Sequence, residues 1–187
     1  TPLDLHEYGA VSLRHLAFIW LALQSDCSAL VCGNTGSGKT TLLGSIFNFI
    51  PQNERVVIVE ETPEINVPHR HAIKMATAEG IEIGMQNLIV NTLRMRPDRV
   101  IIGEIRNREE VSAFIDTVLA GQGKGSYGTF HAQSCEEAIA RLQNLGAMEH
   151  DLSAIDLVLV QKRWTSFKGG INREERKLTE ISEIDFS

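Results

Sequence analysis

The sequence predicts an α/β domain: a mostly parallel sheet flanked by helices, with a C-terminal antiparallel strand pair. Three observations lead there. Short apolar runs alternate with longer helical stretches, the order that builds parallel strands joined by helical crossovers. One run, Val56 to Val59, is four consecutive β-branched residues between charged neighbours, which suits a strand buried on both faces. After Asp156 the pattern changes to strand-like alternation on either side of Gly169-Gly170, the mark of a hairpin.

Along the chain, residues 11 to 24 are nearly all apolar and Ser12 can cap their start, so a mostly buried helix is expected. Ala29 to Cys32 is a first strand running into a glycine-rich stretch, and Thr40 to Phe49 is a helix stopped before Pro51. The strand Val56 to Val59 closes on the acids Glu60, Glu61 and Glu64. Pro63 to Gly84 is polar without a period and reads as an irregular excursion. Met85 to Met95 has helical spacing and Pro97 ends it. Arg99 to Gly103 is a third strand, Arg108 to Ala120 a helix closed by Gly121, and Tyr127 to His131 a fourth strand. Glu136 to Leu145 is a helix ending at Gly146, and Asp156 to Trp164 and Lys177 to Ile184 form the terminal pair.

The chain has 187 residues, 43% hydrophobic and 22% charged, enough for one domain with a core that needs no disulfide or metal staple. A net charge of -6 supplies no global positive field for a nucleic-acid backbone, so nucleic acid is not expected as a partner. Cys27, Cys32 and Cys135 are odd in number and lack paired-ligand spacing, which argues for core or near-surface thiols in a reducing compartment and against a zinc site. The most apolar run, Leu16 to Leu23, is too short for the ~20 residues of a membrane span. The chain starts at Thr1 and not at Met, so it is expected to be a piece of a longer protein, with residues 1–187 as a single domain.

The strongest chemical signal is Gly33-Asn34-Thr35-Gly36-Ser37-Gly38-Lys39-Thr40, a match to G-x-x-x-x-G-K-[ST] in strand, loop, helix context. Glycines let successive N-H groups turn toward phosphates, Lys39 can reach the β and γ phosphates, and the Thr40 hydroxyl can bind Mg²⁺; Thr41 follows on the same helix start. This gives an expected ATP substrate with Mg²⁺ as its metal.

Strand ends carry the other candidates, since ligands of open α/β sheets bind there. Glu104 stands where a P-loop enzyme needs an acid for the Mg²⁺ shell, directly or through water, or for the attacking water. Glu60 and Glu61 are adjacent and point to opposite sides if extended, so one of the two is expected to face the nucleotide. His131, at the end of another strand, can meet a γ phosphate. Arg94, Arg96, Arg99, Arg106 and Arg108 mix with acids as a solvated face would, while Arg106 is the candidate for neutralising transferred phosphate across a subunit boundary. His69 and His71 have no third metal ligand. Gly123 to Gly128 fits G-x-G-x-x-G but follows a helix and precedes a strand, the reverse of the dinucleotide context.

Leu93-Arg94 with Pro97-Asp98, then Gly103-Glu104-Ile105-Arg106, resemble the L-R-x-x-P-D and G-E-x-R signature of the secretion ATPase superfamily, which powers type II and type IV secretion, several pili and the archaellum. Four boxes occur in that family's order: the Walker A loop, an acidic box at Glu60 to Glu64, Walker B at Arg99 to Glu104, and a histidine box ending Thr129-Phe130-His131-Ala132. Glu61 stands where the family commonly has Asp, and Lys124 where it has a first histidine. The resemblance implies a RecA-like ATPase domain, a homo-hexamer at the cytoplasmic face of a membrane platform protein, and an N-terminal domain that these residues do not supply. A DNA translocase or helicase on the same fold is the alternative, and a non-hydrolysing nucleotide module a third. The acids Glu104 and Glu60 speak against the last, because binding alone requires no positioned water.

Overall fold

The computed structural model describes residues 1–187 apart from 79, 81, 122, 169, 186 and 187. Helix α1, Pro2–Glu7, was not anticipated; Thr1 caps it by accepting from the Asp4 N-H, and Pro2 sits at its first turn. Helix α2, Leu13–Gln24, has Ser12 as N-cap, its side chain accepting from the His15 N-H. Strand β1 (Ala29–Cys32) leads through the glycine loop to α3 (Lys39–Ile46), which tightens into a 3-10 turn over Phe47–Phe49. Then come β2 (Arg55–Glu60), β3 (His71–Ala76), α4 (Met85–Thr92), β4 (Arg99–Ile105), α5 (Arg108–Leu119) and β5 (Ser126–Phe130). Helices α6 (Cys135–Asn144) and α7 (Glu149–Leu152) precede the long strands β6 (Leu157–Lys168) and β7 (Ile171–Glu183).

The sheet runs in the order β3-β2-β4-β5-β1-β6-β7, parallel throughout except for the antiparallel pair β6 and β7. Alternation along each strand divides the core in two. Leu30, Cys32, Val59, Ile102 and Val160 join α4, α5 and α6 on one face, while Ala29, Val31, Ile58, Ile101 and Leu159 join α2 and α3 on the other. All three cysteines are free and buried; desolvation pushes the Cys27 thiol up to about 12, so it stays protonated at neutral pH.

Three expectations are corrected. The polar stretch 63–84 contains β3, an edge strand paired in parallel with β2; only one neighbour and partial exposure are required of it, so it carries no apolar run. Helix α2 is not mostly buried: Leu16, Ile19 and Leu23 face the core, whereas Leu13, Phe18, Trp20 and Leu21 are exposed, because the helix lies in a single layer on one sheet face. The terminal strands are longer than expected at both inner ends, and Gly169, the first glycine of the expected turn, lies outside the described residues.

The extra length of β6 and β7 has a structural cause. β1 stops pairing with β6 at Cys32, opposite Val160, and turns away into the glycine loop. A bulge follows between Val160 and Gln161, and from there β6 continues without β1, paired only to β7. Eight further residues make a two-stranded arm of roughly 26 Å lying beside the loop.

Candidate active site

A cleft of about 1120 Å³ opens at the carboxyl ends of the central strands, where β1 lies between β5 and β6. Its floor is the glycine loop. Gly36 and Gly38 adopt left-handed conformations, φ 73° and 95°, that let the chain reverse tightly before α3. Lys39 is buried at 8% exposure, and its Nζ donates to the carbonyls of Gly33 at 2.9 Å and Asn34 at 3.2 Å. Burial pulls the Lys39 pKa down, and the charge of Glu104 offsets this in part. Thr40 and Thr41 line the cleft on the first turn of α3. Two buried oxygens beside the loop, Ser37 Oγ and Gln161 Oε1, have no hydrogen-bond partner among the described residues. Orphaned polar atoms at that depth are costly unless a ligand meets them.

The opposing wall is acidic. Glu104 lies near the end of β4, where Arg106 donates its Nε to Glu104 Oε2 at 2.7 Å. The same guanidinium pairs with Glu104 through Nη2 and with Glu61 through Nη1. His131 Nε2 meets the other oxygen of Glu104 at 2.5 Å. Burial works against ionisation of Glu104, but the Arg106 hydrogen bond and the charges of Arg106, His131 and Lys39 outweigh it and hold the carboxyl below its usual range. Arg106 in turn is pushed up, the two acids overcoming its desolvation. It therefore sits in the cleft of its own chain.

Both members of the acidic pair line the cleft, because β2 ends at Glu60 and the chain bends there instead of staying extended. Their situations differ. Glu60 is buried and its Oε1 accepts from the backbone N-H groups of Glu64 at 3.0 Å and Ile65 at 2.9 Å, which anchors the turn. Glu61 is exposed and reaches Arg106. Thr129 Oγ donates to the Gly103 carbonyl at 2.5 Å and joins the ends of β4 and β5 under the cleft.

Other singled-out residues lie elsewhere. Lys124 stands before the start of β5, at the opposite end of that strand from His131, and pairs with Glu54 at 2.8 Å. Arg99 is not part of a solvated face: at 2% exposure it donates to Glu54, the Tyr127 hydroxyl and the carbonyls of Lys124 and Leu23. His69 is buried edge-on against Phe47, while His71 is exposed at the start of β3. Arg94, Arg96 and Arg108 are exposed.

Sequence reasoning missed the arm. Gln161, Arg173, Glu174, Arg176 and Lys177 all line the cleft, and Arg176 Nε donates to the Gly36 carbonyl at 2.9 Å. The available signal was the density of charge between Lys162 and Lys177 in a segment otherwise reading as a hairpin.

Comparison with known proteins identifies the family and the fold. The family described as Type II/IV secretion system protein matches residues 1–168. An uncharacterized protein of Methanocaldococcus jannaschii is 35% identical over 98% of this chain and 69% of its own length. Protein VirB11 of Agrobacterium fabrum is 33% identical over 76% of this chain and 44% of its own. Among solved structures, the VirB11 ATPase of the Brucella suis type IV secretion system superposes with TM-score 0.74 at 26% identity, covering 97% of this chain and 56% of that one. The Legionella pneumophila ATPase DotB, at TM-score 0.70 and 23% identity over 95% of this chain and 52% of that one, shares the fold. The chain thus spans about half the length of these solved relatives.

Proposed function

Since the chain belongs to the type II/IV secretion system protein family, we propose that it is the Mg²⁺-dependent, ATP-hydrolysing motor domain of a secretion or pilus machine. One observation carries the reading: a glycine loop with a buried lysine faces, across a single cleft, an ionised Glu104 held between Arg106 and His131. The loop N-H groups and Lys39 take the β and γ phosphates. Oxygen donors are what Mg²⁺ requires, and the Thr40 hydroxyl and Glu104 carboxylate at this cleft fit it; the ion would neutralise phosphate charge. With its pKa lowered, Glu104 is a weak proton acceptor at neutral pH. Its negative charge suits it better to fixing the metal shell and polarising the attacking water, with Glu60 or Glu61 as the second acid. His131 meets the γ phosphate and Arg106 the charge that develops on it.

From the family resemblance carried by its motifs, the proposed working form is a homo-hexamer, peripheral at the cytoplasmic face of the membrane against a platform protein. Among the described residues no helix is long and apolar enough to cross a membrane. Steady-state phosphate release with Mg²⁺-ATP, with and without DNA, tests the assignment. Lys39→Ala is expected to lower turnover at least ~10²-fold, and DNA is expected to have no effect. Turnover of the variant within threefold of the parent would sink the P-loop assignment, and stimulation by DNA would favour a translocase.

A further inference from the structure

The arm formed by β6 and β7 breaks a rule of sheet design. In its register Lys162 stands opposite Lys177 and Arg163 opposite Arg176, two successive like-charge pairs where such pairing is destabilising. Alternation sends these pairs to different faces. On one, Lys177 lies 5.8 Å above the Trp164 ring and 3.4 Å from the Glu175 carboxylate, both of which attract its ammonium. On the other, Arg163 and Arg176 lie against the glycine loop: a Cβ on Gly36 would be 2.5 Å from Arg163 Nη1, and one on Gly38 3.7 Å from Arg176 Cδ.

What holds this second pair together is Glu174. Its carboxylate takes Arg176 through Nη2 and Arg163 Nε at 3.5 Å, so one anion serves two guanidinium groups. All three side chains remain roughly half exposed. The arrangement offers two planar cations beside the loop's anion site, temporarily shared with one internal carboxylate. A polyphosphate brings more charge than Glu174 and suits the bidentate geometry of guanidinium.

Resting on the nucleotide-binding reading above, we propose that the arm is a phosphate clamp supplied in cis: Arg176, assisted by Arg163, leaves Glu174 and grips the phosphate chain of the bound nucleoside triphosphate from the side opposite Glu104. Glu174 is an internal competitor for the same arginines. It keeps the like-charged pair tolerable while the cleft is empty and is displaced on binding. The arm's unusual length follows, since the bulge at Val160 and Gln161 is what carries these residues past the end of β1 to the loop.

The test is equilibrium titration of the whole chain with a fluorescent Mg²⁺-ATP analogue, using Arg176→Ala, Glu174→Gln and the double variant, with Lys39→Ala as the reference for an emptied loop. Arg176→Ala is expected to weaken binding about ten- to a hundred-fold, the scale of a lost charge-assisted contact. Glu174→Gln is expected to tighten binding several-fold, and to lose that gain in the double variant. A strut that only props the Gly36 carbonyl would weaken with Arg176→Ala yet show no tightening with Glu174→Gln, and that result overturns the clamp. Unchanged binding in Arg176→Ala overturns it too. If Arg176→Ala fails to fold, as seen by thermal melting, Arg163→Ala carries the same comparison. Failure of the parent chain itself to bind the analogue overturns the nucleotide reading instead, so the two failures are distinct.

Discussion

Replacing Arg99 by Ala removes the centre of a buried network at the end of the sheet away from the cleft. Arg99 donates to Glu54 at 2.8 Å, to the Tyr127 hydroxyl and the Lys124 carbonyl at 2.6 Å each, and to the Leu23 carbonyl at 3.0 Å. Glu54 and Tyr127 are buried, so the truncation strands a desolvated carboxylate with Lys124 as its remaining cation and leaves three other oxygens short of a donor. Breaking one side of such a pair costs about 3–5 kcal/mol. For a chain of this size that lowers the melting temperature by roughly 6–20 °C. Urea denaturation at neutral pH, with the slope unchanged, measures it. A second readout comes from acid. Burial opposes ionisation of Glu54, but the hydrogen bonds of Arg99 and Lys124 prevail and hold its pKa below the ordinary 4.5. A lowered folded-state pKa contributes stability that is full above the unfolded value and is lost as pH falls through the folded one. The gap between parent and variant is therefore expected to narrow below about pH 4.5. A loss under about 1 kcal/mol at neutral pH, or a gap that widens in acid, would refute the reasoning. At temperatures where the variant is folded, ATP binding is expected within threefold of the parent, because the network and the glycine loop lie at opposite ends of the strands.

Glu104→Gln is expected to leave ATP binding nearly intact while turnover falls at least ~10²-fold, since the amide keeps the shape but not the charge; equal losses in a binding titration and a turnover assay would remove it from the water-handling role. His131→Ala should lower hydrolysis more than ADP affinity, ADP having no γ phosphate; calorimetric titration with both nucleotides decides this, and a matching loss for ADP assigns His131 to holding the loop. Gly36→Ala puts a Cβ at φ 73° and against Arg163, so a stability loss of about 1–2 kcal/mol and at least tenfold weaker ATP binding are expected by melting and titration. Wild-type affinity in that variant would mean that the loop does not use this geometry.

The glycine-rich stretch Gly33 to Thr40 was legible as the turn between a strand and a helix, where the structure puts it, and buried parallel strands were legible from unbroken β-branched runs. Elements that answer to water on one or both sides were not. β3 has a single strand neighbour and carries no core run, and the arm beyond Gln161 meets the glycine loop with charged side chains that stay half exposed, so neither shows the alternation that marks a half-buried strand. Helix α2 misled in the opposite way, because an apolar composition does not say how many sides have something to pack against. Arg99 was hidden for a third reason: its four acceptors come from positions 23, 54, 124 and 127, and no local pattern contains them. The arm's contribution to the cleft required the bulge and the end of β1 to be seen together.

The place of β1 also governs how the molecule comes to exist. It is made early, yet its strand partners are β5 and β6, and 93 residues separate Cys32 from Ser126. At ribosomal rates of 5–20 residues per second, this fully buried strand waits roughly 5–20 s with both of its edges open. During that interval the glycine loop has neither the Phe130 carbonyl that receives the Gly33 N-H nor the arm that flanks it. The nucleotide therefore cannot template early folding of this domain; it can act only on a chain whose final third has left the ribosome. Until then β1 has two unpaired edges, the feature that makes a nascent strand prone to pairing with another chain.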